Sequence, residues 1–218
     1  MKKINSKGFT LIELLAVITI MGILMLVAIP AVSRTIENSR RDTFMDTAKA
    51  YVNAVKNAVA ADELKCGTTG AEKIISAEGT GFYQLKFDSS NDTGKDLMEQ
   101  GGKSSWGNAE VRGIVVIEKT VQDNRNSYKY YVMMVDSVGR GIGKADATSG
   151  APTLIFNNDD TLNRSNVATT DGDNRSTFYE KFVDTGFAGA TANTYIDKDS
   201  GSDLVKLDEA PTTCHVVM

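Results

Sequence analysis

Histidine occurs once in the 218 residues, at His215, and cysteine twice, at Cys66 and Cys214. A single imidazole excludes a catalytic or metal site built on several. His215 does not form a Cys–His pair with Cys214, because neighbours along a strand point to opposite faces. No Ser-His-Asp arrangement is supported, and the abundant paired acids lie in loops, where solvated surface accounts for them. We expect no enzyme. There is no surplus of positive charge: 24 Lys and Arg stand against 28 Asp and Glu, a net charge of −4. That argues against a broad phosphate-binding surface, although a local patch survives the objection. No internal repeat or clear domain linker occurs. At 41 % hydrophobic and 24 % charged residues, the chain is otherwise ordinary for a globular protein, and its length suits one soluble domain.

What is present is one long apolar run, Phe9 to Val32, behind a short basic leader containing Lys2, Lys3 and Lys7. The leader is too short for a secretory signal peptide, and no Ala-x-Ala-like site follows the run. At 1.5 Å per helical residue the run would span roughly 35 Å, enough to cross a bilayer with some tilt. It carries one charge, Glu13. Burying a carboxylate there costs about 2 kcal/mol or more on insertion scales, so it needs a specific reason. An uncleaved signal anchor, with its lysines inside, explains the crossing but not Glu13. Removing residues 1–8 leaves 21 basic residues against 28 acidic ones, a net charge of −7.

Lys7-Gly8-Phe9-Thr10-Leu11-Ile12-Glu13 closely resembles the cleavage motif of type IV prepilins, type II secretion pseudopilins and competence pilins. The resemblance covers residues 7–38. It implies that a membrane aspartyl peptidase, the prepilin peptidase, cuts between Gly8 and Phe9 on the cytoplasmic side and N-methylates Phe9. The short leader and the Phe match the type IVa-like and pseudopilin group. The family gives Glu13 a registering role: in a filament it meets the free amine of a neighbouring subunit. An unpaired charge in a low-dielectric core is heavily penalised, so only the correct axial register relieves it. Gly22 and Pro30 match the family's spacing, and the segment between them can lose helical order on assembly there. Physically, Pro30 lacks an N–H and its ring clashes with the Leu26 carbonyl, so the helix should kink or loosen. Gly22 adds a weak point. An ordinary kinked membrane helix is the alternative.

After Pro30 the helix should continue. Phe44, Ala48, Tyr51, Val52, Val55, Ala58 and Val59 form one apolar stripe at helical period. Lys65 and Gly67 read as a last turn and a C-cap. The predicted fold is α+β, a pilin fold: a long kinked N-terminal helix, membrane-spanning then amphipathic, packed on an antiparallel sheet. The organisation reads as leader 1–8, filament-core helix 9–32, amphipathic half 33–66 and globular head 67–218. Arg34, Arg40 and Arg41 read as a solvated basic collar, with snorkelling to headgroups or DNA binding as alternatives. Phe82–Phe87 predicts a short strand and Asp96–Gln100 a helical turn. Trp106-Gly107-Asn108 introduces the sheet. Val111–Val121 and Tyr128–Val135 predict two strands joined by a hairpin loop at Asp123–Ser127. Both are apolar on two faces at their centres, so a second cover is needed opposite the helix, supplied by the C-terminal part.

Residues 137–218 are harder to read. Gly139–Gly143 is a turn or twisted edge strand, not a phosphate loop. Leu154–Phe156, Phe178–Val183 and Leu204–Leu207 predict short strands or helical turns. Asp197, Asp199 and Asp203, like Asp171 and Asp173, offer oxygen ligands at a spacing that can hold calcium, but the pattern is not an EF-hand, and solvated acidic loops explain it as well. Apart from calcium, no cofactor is expected. Cys66 and Cys214 either pair or remain free thiols; in the family a disulfide often staples the C-terminal region, usually with both cysteines in the second half, a pattern from which Cys66 departs.

The resemblance thus implies a structural subunit of a type IV pilus serving adhesion, motility or aggregation. Its partners would be other copies of itself in a helical polymer, prepilin peptidase, the pilus assembly machinery and membrane lipid before assembly. It would cross the inner membrane once and then stand outside the cell. A pseudopilin, a DNA-binding competence pilin and a signal-anchored surface domain that never polymerises are the alternatives.

Overall fold

A computed structural model describes residues 10–88, 104–107, 109–137, 140–146, 153–168, 194–198 and 204–217. Gly8, Phe9, Asn108, Gly139, Asp171, Asp173, Asp199, Asp203 and the segments 96–100 and 178–183 lie outside them. The chain divides into two compact units, Met1–Arg40 and Arg41–Met218.

The described part of the first unit is helical. It belongs to α1 (Leu11–Ala60), whose helical assignment continues past Pro30. Its large apolar side chains are exposed.

The second unit begins with the rest of α1. Its buried residues are Phe44, Ala48, Tyr51, Val52, Val55, Ala58 and Val59, the stripe read from the sequence. The helix does not run to Lys65. It stops at Ala60 in a Schellman arrangement: the Asp62 N–H bonds the Val59 carbonyl and the Glu63 N–H bonds the Ala58 carbonyl. Asp62 takes the left-handed conformation (φ 56°) usually filled by Gly at this cap position, and Asp tolerates it. The expected last turn is instead β1 (Leu64–Cys66), with Leu64 and Cys66 buried and Lys65 between them. Pairing with the C-terminal strand overrides helix propensity here.

The other strands are β2 (Lys73–Ile74), β3 (Gly81–Asp88), β4 (Val111–Gln122), β5 (Arg125–Asp136), β6 (Gly141–Ile142), β7 (Lys144–Asp146), β8 (Thr153–Asn158), β9 (Val167–Ala168), β10 (Thr194–Asp197), β11 (Leu204–Lys206) and β12 (Thr212–Val216). They form one mostly antiparallel sheet ordered β11-β10-β8-β5-β4-β3-β12-β1-β2. β10 on β8 and β12 on β3 are parallel pairs. The β4–β5 turn is tighter than the sequence suggests. Only Asp123 and Asn124 form it, at φ 50° and 60°, as a two-residue hairpin turn requires, and the ladder continues through Gln122–Arg125. Gly113 on β4 is fixed by close approach, since a Cβ there would overlap the Met133 carbonyl oxygen and the Phe87 ring.

One face of β3, β4 and β5 packs on the helix stripe through Leu85, Val115, Ile117, Val132 and Met134. Tyr51 stacks on Phe87 at 3.8 Å between ring centroids, and Phe44 meets Trp106 edge-on at 5.6 Å. The opposite face buries Ile114, Val116, Tyr131 and Met133 against Phe156, Ile196 and Leu207. The C-terminal part therefore supplies the second cover by curling. Lys198, beside β10, reaches Glu118 of β4 at 2.8 Å. Three strand spacings separate those strands, about 14 Å in a flat sheet. Tyr131 donates to the same carboxylate at 2.7 Å.

Two further ties matter. The segment after β8 lies along α1: Lys56 pairs with Asp159 at 2.6 Å and Arg164 with Asp42 at 2.5 Å. Lys119 is fully buried. Its amine donates to the carbonyls of Ile75 (2.8 Å), Ser76 (2.9 Å) and Glu78 (2.5 Å). Burial pushes its pKa down, and the Glu78 charge opposes that.

Candidate assembly segment

The segment begins at a helix N-terminus whose first amides have no intrahelical acceptor. Thr10 and Glu13 answer this with a capping box. Glu13 accepts from the Thr10 N–H at 2.9 Å and from the Thr10 hydroxyl at 2.7 Å, and the Glu13 N–H points at the Thr10 hydroxyl at 3.4 Å. Glu13 therefore has a partner within its own chain, an interaction missing from the sequence reading above. The Thr-x-x-Glu pattern ahead of an apolar run was the available clue.

Beyond the cap the helix is apolar nearly all round. Leu11 is 85 %, Leu26 78 % and Val27 75 % exposed. A helix with a single wet face would show one apolar stripe; this one needs lipid or other helices on every side. By length and composition it can cross a membrane, and none of its apolar window is buried within the chain. The one hydroxyl inside the apolar run is satisfied by the preceding turn: Thr19 donates to the Leu15 and Ala16 carbonyls at 3.0 and 2.9 Å. Such back-bonding hides a polar group from lipid.

Gly22 has nothing within 4 Å of where a Cβ would stand. No close approach inside the chain demands glycine there. Pro30 lies within the helix and leaves the Leu26 carbonyl without its usual donor. Gly22 and Pro30 are thus two weak points eight residues apart in an otherwise regular helix. Arg34 and Arg40 are exposed.

Elsewhere the structure joins Cys66 to Cys214 in a disulfide closing a separation of 148 residues. The two sit directly opposite one another on β1 and β12. Asp197 is buried at the end of β10, beside its register partner Asn157. Among the described residues, no group of three His, Cys, Asp or Glu is placed to hold a metal. His215 faces Glu72 at 3.7 Å, half exposed.

No curated protein and no solved structure matches the chain. A family description, the prokaryotic N-terminal methylation motif, matches residues 3–29. That span contains Gly8, Phe9, Glu13 and Gly22, and it stops one residue before Pro30. The chain thus carries this methylation motif at the head of a helix able to anchor it in a membrane, which supports a type IV pilin-like or pseudopilin protein.

Proposed function

We propose that the chain is the precursor of a type IV pilin, cut at Gly8–Phe9, methylated at Phe9 and polymerised into a surface filament for adhesion or motility. The observation that carries this reading is the methylation motif at residues 3–29 on a helix exposed on all sides. Lipid surrounds that helix before assembly, and other copies surround it afterwards. Glu13 then exchanges its bond to Thr10 for the free amine of a neighbouring Phe9. Charge pairing in a dry core fixes the axial register.

The capping box favours a second reading. A carboxylate satisfied by Thr10 needs no neighbour, so a membrane-anchored surface domain that never polymerises accounts for Glu13 as well. Mass analysis of the N-terminus in material sheared from cells separates the two. Filaments beginning at methylated Phe9 support the first reading; an intact leader with no filaments overturns it. Glu13→Ala should insert normally and assemble poorly. Wild-type filament yield from that variant would remove the registering role.

A further inference from the structure

Among the described residues, β12 is the only strand that links the β1–β2 hairpin to the main sheet, because in the order β3-β12-β1-β2 it lies between them. Its two flanks are unequal. Toward β1 it pairs at Leu64–Val216, Lys65–His215 and Cys66–Cys214. Backbone bonds extend that flank at both ends, Gly67 N–H to the Thr213 carbonyl (3.1 Å) and Val217 N–H to the Glu63 carbonyl (2.8 Å). The disulfide makes it covalent. Toward β3 the contact is parallel and covers only Thr212–Tyr83 and Thr213–Gln84. Parallel pairing is slightly the weaker kind.

The Gln84 side chain supplements this short flank. Its amide donates to the Pro211 carbonyl at 3.1 Å and the Thr213 hydroxyl at 3.2 Å. Its own carbonyl oxygen is buried and, among the described residues, has no hydrogen-bond partner. That oxygen offsets part of what the two donated bonds contribute, so the joint gains less than two full bonds from Gln84. The disulfide therefore fastens the C-terminal strand to the end of α1 and leaves its joint to the main sheet uncrosslinked.

We infer that the head opens at the seam between β3 and β12, with β1 and β12 moving together as one disulfide-stapled pair against residues 75–78, which Lys119 holds to β4. Opening is a rare excursion, since Leu64, Cys66 and Cys214 share an apolar cluster with Tyr83 and Leu85. It bares the edge of β3 at Tyr83–Gln84. If α1 is held by neighbours in a filament, a pull on it reaches β1 directly and β12 through the disulfide, and this seam is where the sheet yields. That consequence rests on the filament reading; the seam itself does not.

Native-state hydrogen exchange on the full chain in detergent tests it. In the oxidised protein the amides bridging Thr212–Thr213 to Tyr83–Gln84 should exchange at least tenfold faster than those of Gly67 and Val217. Gln84→Ala should speed the seam amides by a further tenfold, leaving Gly67, Val217 and the β4–β5 ladder unchanged. Reduction should then speed Gly67 and Val217 as well. If Gln84→Ala does not fold, the order of exchange in the unaltered protein decides. Equal rates on both flanks of β12, or faster exchange on the β1 flank, overturn the inference.

Discussion

Lys119→Met removes a buried ammonium while keeping its apolar stem. The wild-type amine supplies three carbonyls at 2.8, 2.9 and 2.5 Å. The Ile75 carbonyl keeps its bond from the Glu78 N–H at 3.2 Å, so it is not orphaned, and losing the ammonium there costs about 1 kcal/mol. The bonds to Ser76 and Glu78 are only partly buried, so water recovers most of their loss, leaving about 0.5 kcal/mol each. Against this, the variant no longer strips water from a charged group, a relief that makes some apolar replacements neutral. The groups left behind are neutral carbonyls that keep other partners, so the net expectation is a loss of about 1–2 kcal/mol. Urea unfolding of detergent-solubilised protein reads it out. Trp106, the only tryptophan, is buried against Phe44 and reports the head alone. The midpoint should fall with an unchanged slope. An unchanged or raised midpoint would refute the claim that the amine holds the turn at 75–78 to the sheet.

Glu118 sits where burial raises a carboxyl's pKa, but the bonds from Lys198 and Tyr131 lower it further, and the net shift is downward. Its contribution to stability is therefore full above the ordinary carboxylate pKa and is lost as pH falls through the lower folded value; Glu118→Gln should flatten that acid limb in pH-dependent unfolding, and an unaltered limb would place it elsewhere. Gly113→Ala should cost about 3 kcal/mol, because the new methyl meets the Met133 carbonyl and the Phe87 ring and backbone cannot yield cheaply; a melting temperature within a degree of wild type would contradict this.

The fold was legible wherever one local rule decided it. The 3.6-residue stripe from Phe44 to Val59 is the buried face of α1. The β-branched runs around Val115 and Val132 are the central hairpin, and apolar residues on both of its faces correctly demanded a second cover. The end of α1 was not legible. Lys65 and Gly67 look like a helix terminus, but Leu64 and Cys66 pair with residues about 150 positions away, and no window of sequence contains that partner. Lys119 reads as the polar end of a strand; only the return of residues 75–78 across it explains its burial. Between Asp123 and Ser127 the turn chemistry was recognised but its length was overestimated, because Arg125–Ser127 still pair with β4.

Glu13 shows how far a local rule reaches in the candidate site. Taken alone, a carboxylate in an apolar helix demands an external partner. The Thr10 cap supplies an internal one, so the charge by itself no longer distinguishes a filament subunit from an anchor. The rest of the segment differs in this respect. Capping explains neither Gly22, which no neighbour within the chain crowds, nor the placement of Pro30 inside a helix that would be stronger without it. A permanent anchor tolerates two weak points eight residues apart without needing them. On the filament reading proposed above they have a use, because leaving lipid and repacking among copies favours a different local geometry. That reading leans on the stretch between Gly22 and Pro30 more than on Glu13, whose Thr10 bond a neighbouring amine would have to replace.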